Sequence, residues 1–289
     1  MGRVVGINKY KTDKIQYHTI VAVTIFHVLA VVALFYFSWQ NLVAAVVCWW
    51  ISGSWGIGLG YHRLLTHRGF KSSKPLEYFL SVCGSLALQA GPIAWVTTHR
   101  LHHAYTDTDK DPHSPRNGIF WGHMGWIFFG TGQNHGDETH QRYSPDLYKD
   151  NVIRAIEKYY WVTSVVIGLI LFLIGGWSMV LWGIFLRTVW GWHSTWLVNS
   201  ATHLWGKQRF DCNDDSTNNG LIAALTFGEG WHNNHHAFPR SARHGLSMME
   251  IDVNWIQIRA LEKLGLITDV YAVDLDNLKN DSKTVKKAA

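Results

Sequence analysis

The sequence predicts an all-α integral membrane protein: four transmembrane helices plus a helical cap gathered at one membrane face. Three observations predict it. The apolar residues, 47% of a 289-residue chain, are concentrated in a few long runs. The polar blocks between the runs hold most of the 17 histidines, in short boxes directly beside the run ends. Many of the 16 tryptophans lie near those ends as well, where an aromatic belt places them.

The opening residues Met1 to Tyr17 are polar and basic, with Lys9, Lys11 and Lys14 ahead of the first run, and carry no cleavable signal peptide. The spans are expected at 20–37, 42–60, 159–174 and 179–200, each long enough to cross or nearly cross a hydrocarbon core. Short uncharged turns join them in pairs, Ser38-Trp39-Gln40-Asn41 and Gly175-Gly176-Trp177-Ser178. Leu76 to Trp95 is apolar but interrupted by Glu77, Gln89, Gly91 and Pro92, which suits a re-entrant or partly buried segment. His27 reads as a hydrogen-bonded interior residue, and Arg187 inside the fourth span must face protein or water. Met248 to Ile267 has an amphipathic helical pattern through Ile251, Trp255, Ile258, Leu261 and Leu264, suited to packing on the cap or the membrane surface. The charged tail 276–289 is expected to be disordered, and 1–289 reads as a single domain. Basic flanks and histidine boxes fall on the same side, so the positive-inside rule puts both termini and every box in the cytosol.

The net charge of +5 comes without a Lys/Arg stripe or stacking aromatics, which excludes a nucleic-acid surface. Cys48, Cys83 and Cys212 are too few and too scattered for a disulfide framework or a thiolate metal site.

Chemistry resides in the boxes. His232, His235 and His236 stand at i, i+3 and i+4, as do His99, His102 and His103, so each trio projects from one helical face. His62 and His67 form a third box, and Asn199 and His203 close the fourth span as Asn-x-x-x-His. Nine imidazoles from four parts of the chain exceed one ion's needs and suit two, each held by four or five nitrogens. Glu229, Asp211, Asp214 and Asp215 are placed as carboxylate partners to the ligand rings or as salt bridges, and Trp231 as packing over them. His113 and His123 are expected near substrate or behind the ligands; His18, His135, His140, His193 and His244 are read as structural or surface residues.

His62-Arg-Leu-Leu-Thr-His67, Trp95-Val-Thr-Thr-His-Arg-Leu-His-His103, Asn199-Ser-Ala-Thr-His203 and Gly228-Glu-Gly-Trp-His-Asn-Asn-His-His236 resemble the four metal-binding signatures of membrane fatty acyl desaturases of the Δ9 (stearoyl-CoA desaturase) type. Asp111-Pro112-His113 and Gly122-His123-Met124-Gly125-Trp126 are similar to that family's connecting region, and the likeness runs from about Trp39 to Val270. The resemblance implies four spans, a cytosolic helical cap holding a His-rich di-iron site, and dioxygen-dependent insertion of a cis double bond. It makes His62, His67, His99, His102, His103, His203, His232, His235 and His236 iron ligands, has Asn199 hold an iron-bound water, and lines the substrate channel with Trp95 and Gln89.

Leu88-Gln89-Ala90-Gly91-Pro92-Ile93, and Val96 where the animal acyl-CoA enzymes carry arginine, look more like the bacterial, cyanobacterial and plant branch. The acyl carrier is therefore coenzyme A or a glycerolipid. With no fused cytochrome b5 domain, electrons are expected from a separate ferredoxin or cytochrome b5. Arg63, Arg68, Lys71 and Lys74 offer a basic docking surface for such a donor, or simply flank a span. Rival readings are a lipid or alkane hydroxylase, a haem-binding membrane cytochrome, and a non-enzymatic zinc-binding membrane protein.

Overall fold

Backbone groups in hydrocarbon must bond within their own segment, so long apolar runs become long helices. The computed structural model describes residues 8–132 and 134–274; the tail 276–289 lies outside them. Among the described residues, three helical stretches are long and apolar enough to cross a membrane: Tyr17–Tyr36, Trp39–Thr66 and Tyr160–His203. The first contains α1 (Tyr17–Ala33) and a 3₁₀ turn. The second begins as α2 (Trp39–Trp49), where the Ser38 hydroxyl accepts from the Asn41 N–H, and continues as a π-helical stretch, Trp50–Thr66. It therefore extends past the expected 42–60, carrying His62 on the helix itself and leaving His67 at its end.

The third stretch is not one rod. α9 (Tyr160–Val180) loses helical geometry at Gly175 and Gly176, the latter at φ 65. A left-handed residue there is cheap only for glycine. The chain then returns through Leu181–Leu186 and α10 (Arg187–Ser200), so that Gly183 lies against Leu171 and Gly168 against Ile184. Exposed Val21, Ile25 and Val28 on α1 and Leu169 and Leu173 on α9 give the bundle an apolar outer surface, as lipid requires.

Between the second and third stretches run α3 (Lys74–Ser85), α4 (Pro92–Tyr105), α5 (Trp126–Phe128), α6 (Asp137–Tyr143), α7 (Pro145–Tyr148) and α8 (Asn151–Lys158). α3 packs closely along Trp50–Thr66 through small residues: a Cβ on Gly56 would stand 2.5 Å from the backbone of Cys83 and Gly84. The interrupted segment expected as re-entrant is α3, a loop and α4. Leu88 and Ala90 adopt φ 53 and 71 in that loop, and its carbonyls are not left bare. Arg187 Nη1 donates to Leu86 O at 2.8 Å, and Trp192 Nε1 to both Ala87 O and Leu88 O at 3.1 Å. Arg187 is thus buried in protein, and its position inside a span has this cause. His27 is likewise bonded inside the bundle, Nδ1 to Val23 O at 2.7 Å and Nε2 to His193 Nε2 at 3.0 Å.

The cap closes with α11 (Gly220–Leu225), α12 (His232–Ala237) and α13 (Val253–Lys263). It grips the second stretch far from its end: Phe227 packs on Trp49 at 4.5 Å, Trp50 Nε1 donates to Gln257 Oε1 at 3.1 Å, and Ser54 Oγ to Asn254 Oδ1 at 2.6 Å. α13 buries Ile258 and Leu261, but Ile251 and Leu264 of the expected apolar face are exposed because Asn254 and Gln257 take the inward contacts. Two-residue strands β1 (Lys71–Ser72) and β2 (Ile267–Thr268) pair antiparallel and tie the chain after α13 to the exit of the second stretch.

Gly56→Ala is expected to destabilise the protein by about 1–3 kcal/mol through overpacking against fixed backbone. Scanning fluorimetry in detergent reads this as a lowered unfolding midpoint, with Gly136→Ala, whose Cβ meets open space, as the neutral control.

Candidate metal centre

α4 aims His99, His102 and His103 inward, and α12 does the same for His232, His235 and His236, as i, i+3, i+4 spacing requires. The π-helical end of the second stretch brings His62 and His67, and the turn after α10 brings His203. The nine rings sort into two sets. His62, His67, His99, His103 and His235 place one ring nitrogen each within 4.8 Å of one another, and so do His102, His203, His232 and His236. The sets abut, with the His103 and His236 ring centroids 4.7 Å apart.

Tautomers decide what these sets can do. Buried carboxylates take the Nδ1–H of four rings: His62 bonds Glu229 at 2.5 Å, His102 bonds Asp111 at 3.0 Å, His203 bonds Asp107 at 2.9 Å and His236 bonds Asp214 at 2.9 Å. Each of these rings then presents an Nε2 lone pair. His232 Nε2 lies 3.1 Å from His203 Nε2 and 3.0 Å from His236 Nε2; His235 Nε2 lies 3.1 Å from His62 Nε2 and 2.9 Å from His103 Nε2. One hydrogen cannot serve two such neighbours, and His67 Nε2 is buried with no hydrogen-bond partner among the described residues. Lone pairs converging at this separation fit a cation between them, so the donor set suits borderline metals.

Charge follows the same logic. Burial, then the neighbouring imidazoles, pushes His67, His99, His103, His232, His235 and His236 well below the ordinary imidazole range, keeping them neutral and ligand-competent. Burial opposes charge on His102 too, but Asp111 outweighs it and raises its pKa. Glu229 would be raised by burial, yet Arg63 and then His62 hold it well below the carboxylate range.

Behind the rings stands a network the sequence reading missed. Arg63 is 1% exposed and bonds Glu229 Oε1 at 2.9 Å, Asp252 Oδ1 at 2.9 Å and Ala242 O at 2.8 Å. His244, fully buried, packs with its ring centroid 4.5 Å from that of His235, and Asn254 Nδ2 donates to Glu229 at 2.7 Å. Arg63 therefore belongs to no docking surface. Arg68, Lys71 and Lys74 are paired with Asp146, Asp269 and Asp150. Of the four acids expected as ring partners or salt bridges, Glu229 and Asp214 reach the rings, Asp215 forms a salt bridge with Arg116, and Asp211 accepts from the Asn213 N–H. Asp107 and Asp111 were missed as partners, though carboxylates four and eight residues after His103 are the signal that could have found them. His113 packs on His102 at 4.5 Å; His123 bonds His193 and Ser200. Trp231 turns outward, its Nε1 donating to Ile251 O at 2.9 Å.

Two cavities meet beside the rings. The outer one, of about 680 Å³, and a smaller inner one share Gln89, Trp95, His99, Thr195 and Asn199 in their walls. Gln89 bridges the junction, donating to Thr195 Oγ1 at 2.9 Å and accepting from Trp95 Nε1 at 3.3 Å. His62 and His232 open onto the inner cavity.

The family model described as Fatty acid desaturase matches residues 37–250. The chain belongs to that family. It is 50% identical over 238 residues to the sn-1 stearoyl-lipid 9-desaturase of Anabaena variabilis, covering 82% of this chain and 86% of that protein. It is 44% identical over 262 residues to the sn-2 palmitoyl-lipid 9-desaturase of Nostoc sp. (strain 36), covering 90% and 92%. It is also 43% identical over 251 residues to the icosanoyl-CoA 5-desaturase of Limnanthes douglasii, covering 86% and 70%. The desaturase is thus an oxidoreductase whose histidine clusters can hold metal.

His235→Ala and His203→Ala are each expected to lower bound metal from about two ions per chain to about one, read by elemental analysis of purified protein. Asp107→Asn, which leaves His203 in place, is expected to weaken retention about 10–100-fold. The chelated protein loses stability as pH falls below about 6.5. His67, His99, His103, His232, His235 and His236 stay neutral there while the same residues of the unfolded chain take up protons, which outweighs the opposite shift at His102, so unfolding midpoints measured with chelator fall as the medium is acidified.

Proposed function

We propose that the protein is a dioxygen-dependent desaturase that inserts a cis double bond, at position 9, into a saturated fatty acyl chain. The observation supporting this best is nine convergent imidazoles beside the junction of two cavities. In this reading two irons would be held, one by His62, His67, His99, His103 and His235, the other by His102, His203, His232 and His236, with Asn199 positioning an iron-bound water. The pair of irons would supply, with dioxygen and two external electrons, the oxidising power to remove two hydrogens from adjacent methylenes, two protons being taken up and two waters released.

The remaining tasks fall to the chain. Trp95, Gln89 and Thr195 line the junction of the cavities and would hold the acyl chain there so that both leaving hydrogens are presented from one side, giving a cis product. The inner cavity takes the methyl end, so its depth sets which carbon stands at the junction. Carboxylates fix ring orientation, and Arg63 fixes Glu229. Ferredoxin or cytochrome b5 would deliver the electrons. The hairpin at Gly175–Gly176 makes four crossings of the third stretch and its predecessors, with the basic, histidine-bearing side and both termini in the cytosol.

Expression in a host without desaturase activity is expected to yield cis-9 monounsaturated chains, located by derivatised mass spectrometry. His99→Ala should abolish them, and hydroxylated chains instead would replace this reading with the hydroxylase one. Gly191 lines the inner cavity and a Cβ there meets nothing within 4 Å. Gly191→Leu is accordingly expected to shift products toward shorter chains, and an unchanged chain profile would remove the methyl end from that cavity.

A further inference from the structure

The residues ahead of α1 are laid across the cap. Asn8 Nδ2 donates to Asp111 O at 2.7 Å, the Lys9 N–H to Asp109 O at 3.0 Å and the Thr131 N–H to Tyr10 O at 3.0 Å, while Ile15 bridges to Phe129. Lys9 and Lys11 thereby join two cations of the connecting region, Lys110 in the loop after α4 and Arg142 near the end of α6. All four are exposed. Each stands over an aromatic ring: Lys9 over Tyr10 at 4.9 Å, Lys11 over Trp121 at 5.6 Å, Lys110 over Tyr105 at 5.5 Å and Arg142 over Tyr143 at 5.5 Å. The hydroxyls of Tyr105 and Tyr143 meet at 3.3 Å and join the last two pairs into one platform. The hydrogen bond with Tyr143 lowers the Tyr105 pKa against the effect of burial, and Lys110, Arg142 and Lys9 lower it further, so three of the cations converge on one hydroxyl.

These cations differ from those at the exit of the second stretch, where Arg68, Lys71 and Lys74 are each paired with a carboxylate. Among the described residues, no acid forms an ion pair with Lys9, Lys11, Lys110 or Arg142. Asp13 and Asp109 lie in the same stretches without pairing to them, and Asp137 and Glu138 stand at the opposite end of α6 from Arg142. None of the four cations lines either cavity, so they are not placed to meet the substrate. What lies beneath them is the histidine centre. Lys110 is bonded to Asp111, whose carboxylate takes the His102 Nδ1–H, and Tyr105 closes α4 two residues after His103. One ring of each set is therefore a short covalent and hydrogen-bonded step from this face.

Taking dioxygen to two waters consumes four electrons, and the two C–H bonds supply only two, so each double bond needs two more electrons and two protons from outside the substrate. We propose that the face formed by Lys9, Lys11, Lys110 and Arg142 with their aromatic rings is the docking site of an acidic one-electron carrier protein. The assignment rests on the desaturase reading above and names the partner of its centre. Carboxylates of the carrier replace water around the four cations, and the rings beneath supply rigid contact area. Each docking oxidises the carrier by one electron and reduces the centre by one, through Asp111 and His102 or the end of α4, and two dockings serve one double bond. Lys110 and Arg142 belong to the cap and not to the flank of a span, which favours a soluble partner over lipid headgroups.

The test uses the full-length, metal-loaded protein in nanodiscs of neutral lipid, with a plant-type [2Fe–2S] ferredoxin as the acidic carrier and binding followed by interferometry. Lys110→Glu/Arg142→Glu is expected to keep wild-type metal content and to slow ferredoxin association roughly tenfold or more at low salt, the gap closing as salt rises to about 0.5 M. Lys71→Glu/Lys263→Glu, an equal change of net charge at exposed positions elsewhere, is expected to associate as wild type does. No ferredoxin binding to wild type, equal association of the wild type and the first variant, or an equal loss in the second variant overturns the docking site. So does a first variant that binds ferredoxin normally but loses a rise in unfolding midpoint that anionic lipid gives the wild type, which assigns the cations to headgroups. Wild-type protein is also driven by dithionite with methyl viologen, which needs no docking. Unsaturated product there leaves the desaturase reading standing whatever the binding result; no product with either reductant overturns that reading and the docking site together.

Discussion

Imidazole lone pairs brought within about 3 Å of each other repel unless a cation lies between them. Everything else in the molecule is arranged to keep them there. The Nδ1 hydrogens of His62, His102, His203 and His236 are committed to Glu229, Asp111, Asp107 and Asp214, so the rings cannot relax by swapping tautomers. The acids are fixed in turn. Asp107 accepts from Ser114 Oγ and the Asp215 N–H, Asp214 accepts from Ser216, and Glu229 is clamped by Arg63 and Asn254. A buried carboxylate without such partners would be protonated instead, and would no longer fix the ring it serves.

The same economy of polar groups explains the backbone irregularity inside the apolar bundle. A loop at residues 86–91 exposes carbonyls where no water is at hand, and its left-handed Leu88 and Ala90 are unfavourable by themselves. Arg187 and Trp192 satisfy those carbonyls from α10, and Ser164 adds a bond from α9 to Leu86 O. What the loop gains is the position of Gln89, which reaches Thr195 and Trp95 where the two cavities meet. A charged residue in a span, a broken helix and a polar contact in the cavity wall are thus one construction.

Periodicity carried the ligand trios, since i, i+3, i+4 spacing on a helix fixes a shared face whatever the partners are. It also carried the apolar runs and the glycine turn at 175–176. It could not carry the partition of nine rings into five and four, because that depends on how α4, α12 and the second stretch cross. Nor could it separate Asp107 and Asp111 from Asp211 and Asp215: all four are acids in polar loops near a box, and only the fold turns two of them toward the rings. Arg63 misled for a related reason. An arginine just past an apolar run ordinarily sits in water, but the π-helical stretch continues to Thr66 and points it into the acids of the cap.

The cap and the cavity are coupled through one short segment. Leu225, Thr226 and Phe227 line the inner cavity, and within the next nine residues the chain supplies Glu229, His232, His235 and His236. Phe227 is held from the membrane side by Trp49, while the imidazoles are held from the other side by α4 and its partners. Ordering the rings therefore orders the cavity wall, and a loosened ring set would loosen that wall. The residues that gather nitrogen donors and those that line the inner cavity belong to the same short piece of chain, so a change to either bears on both.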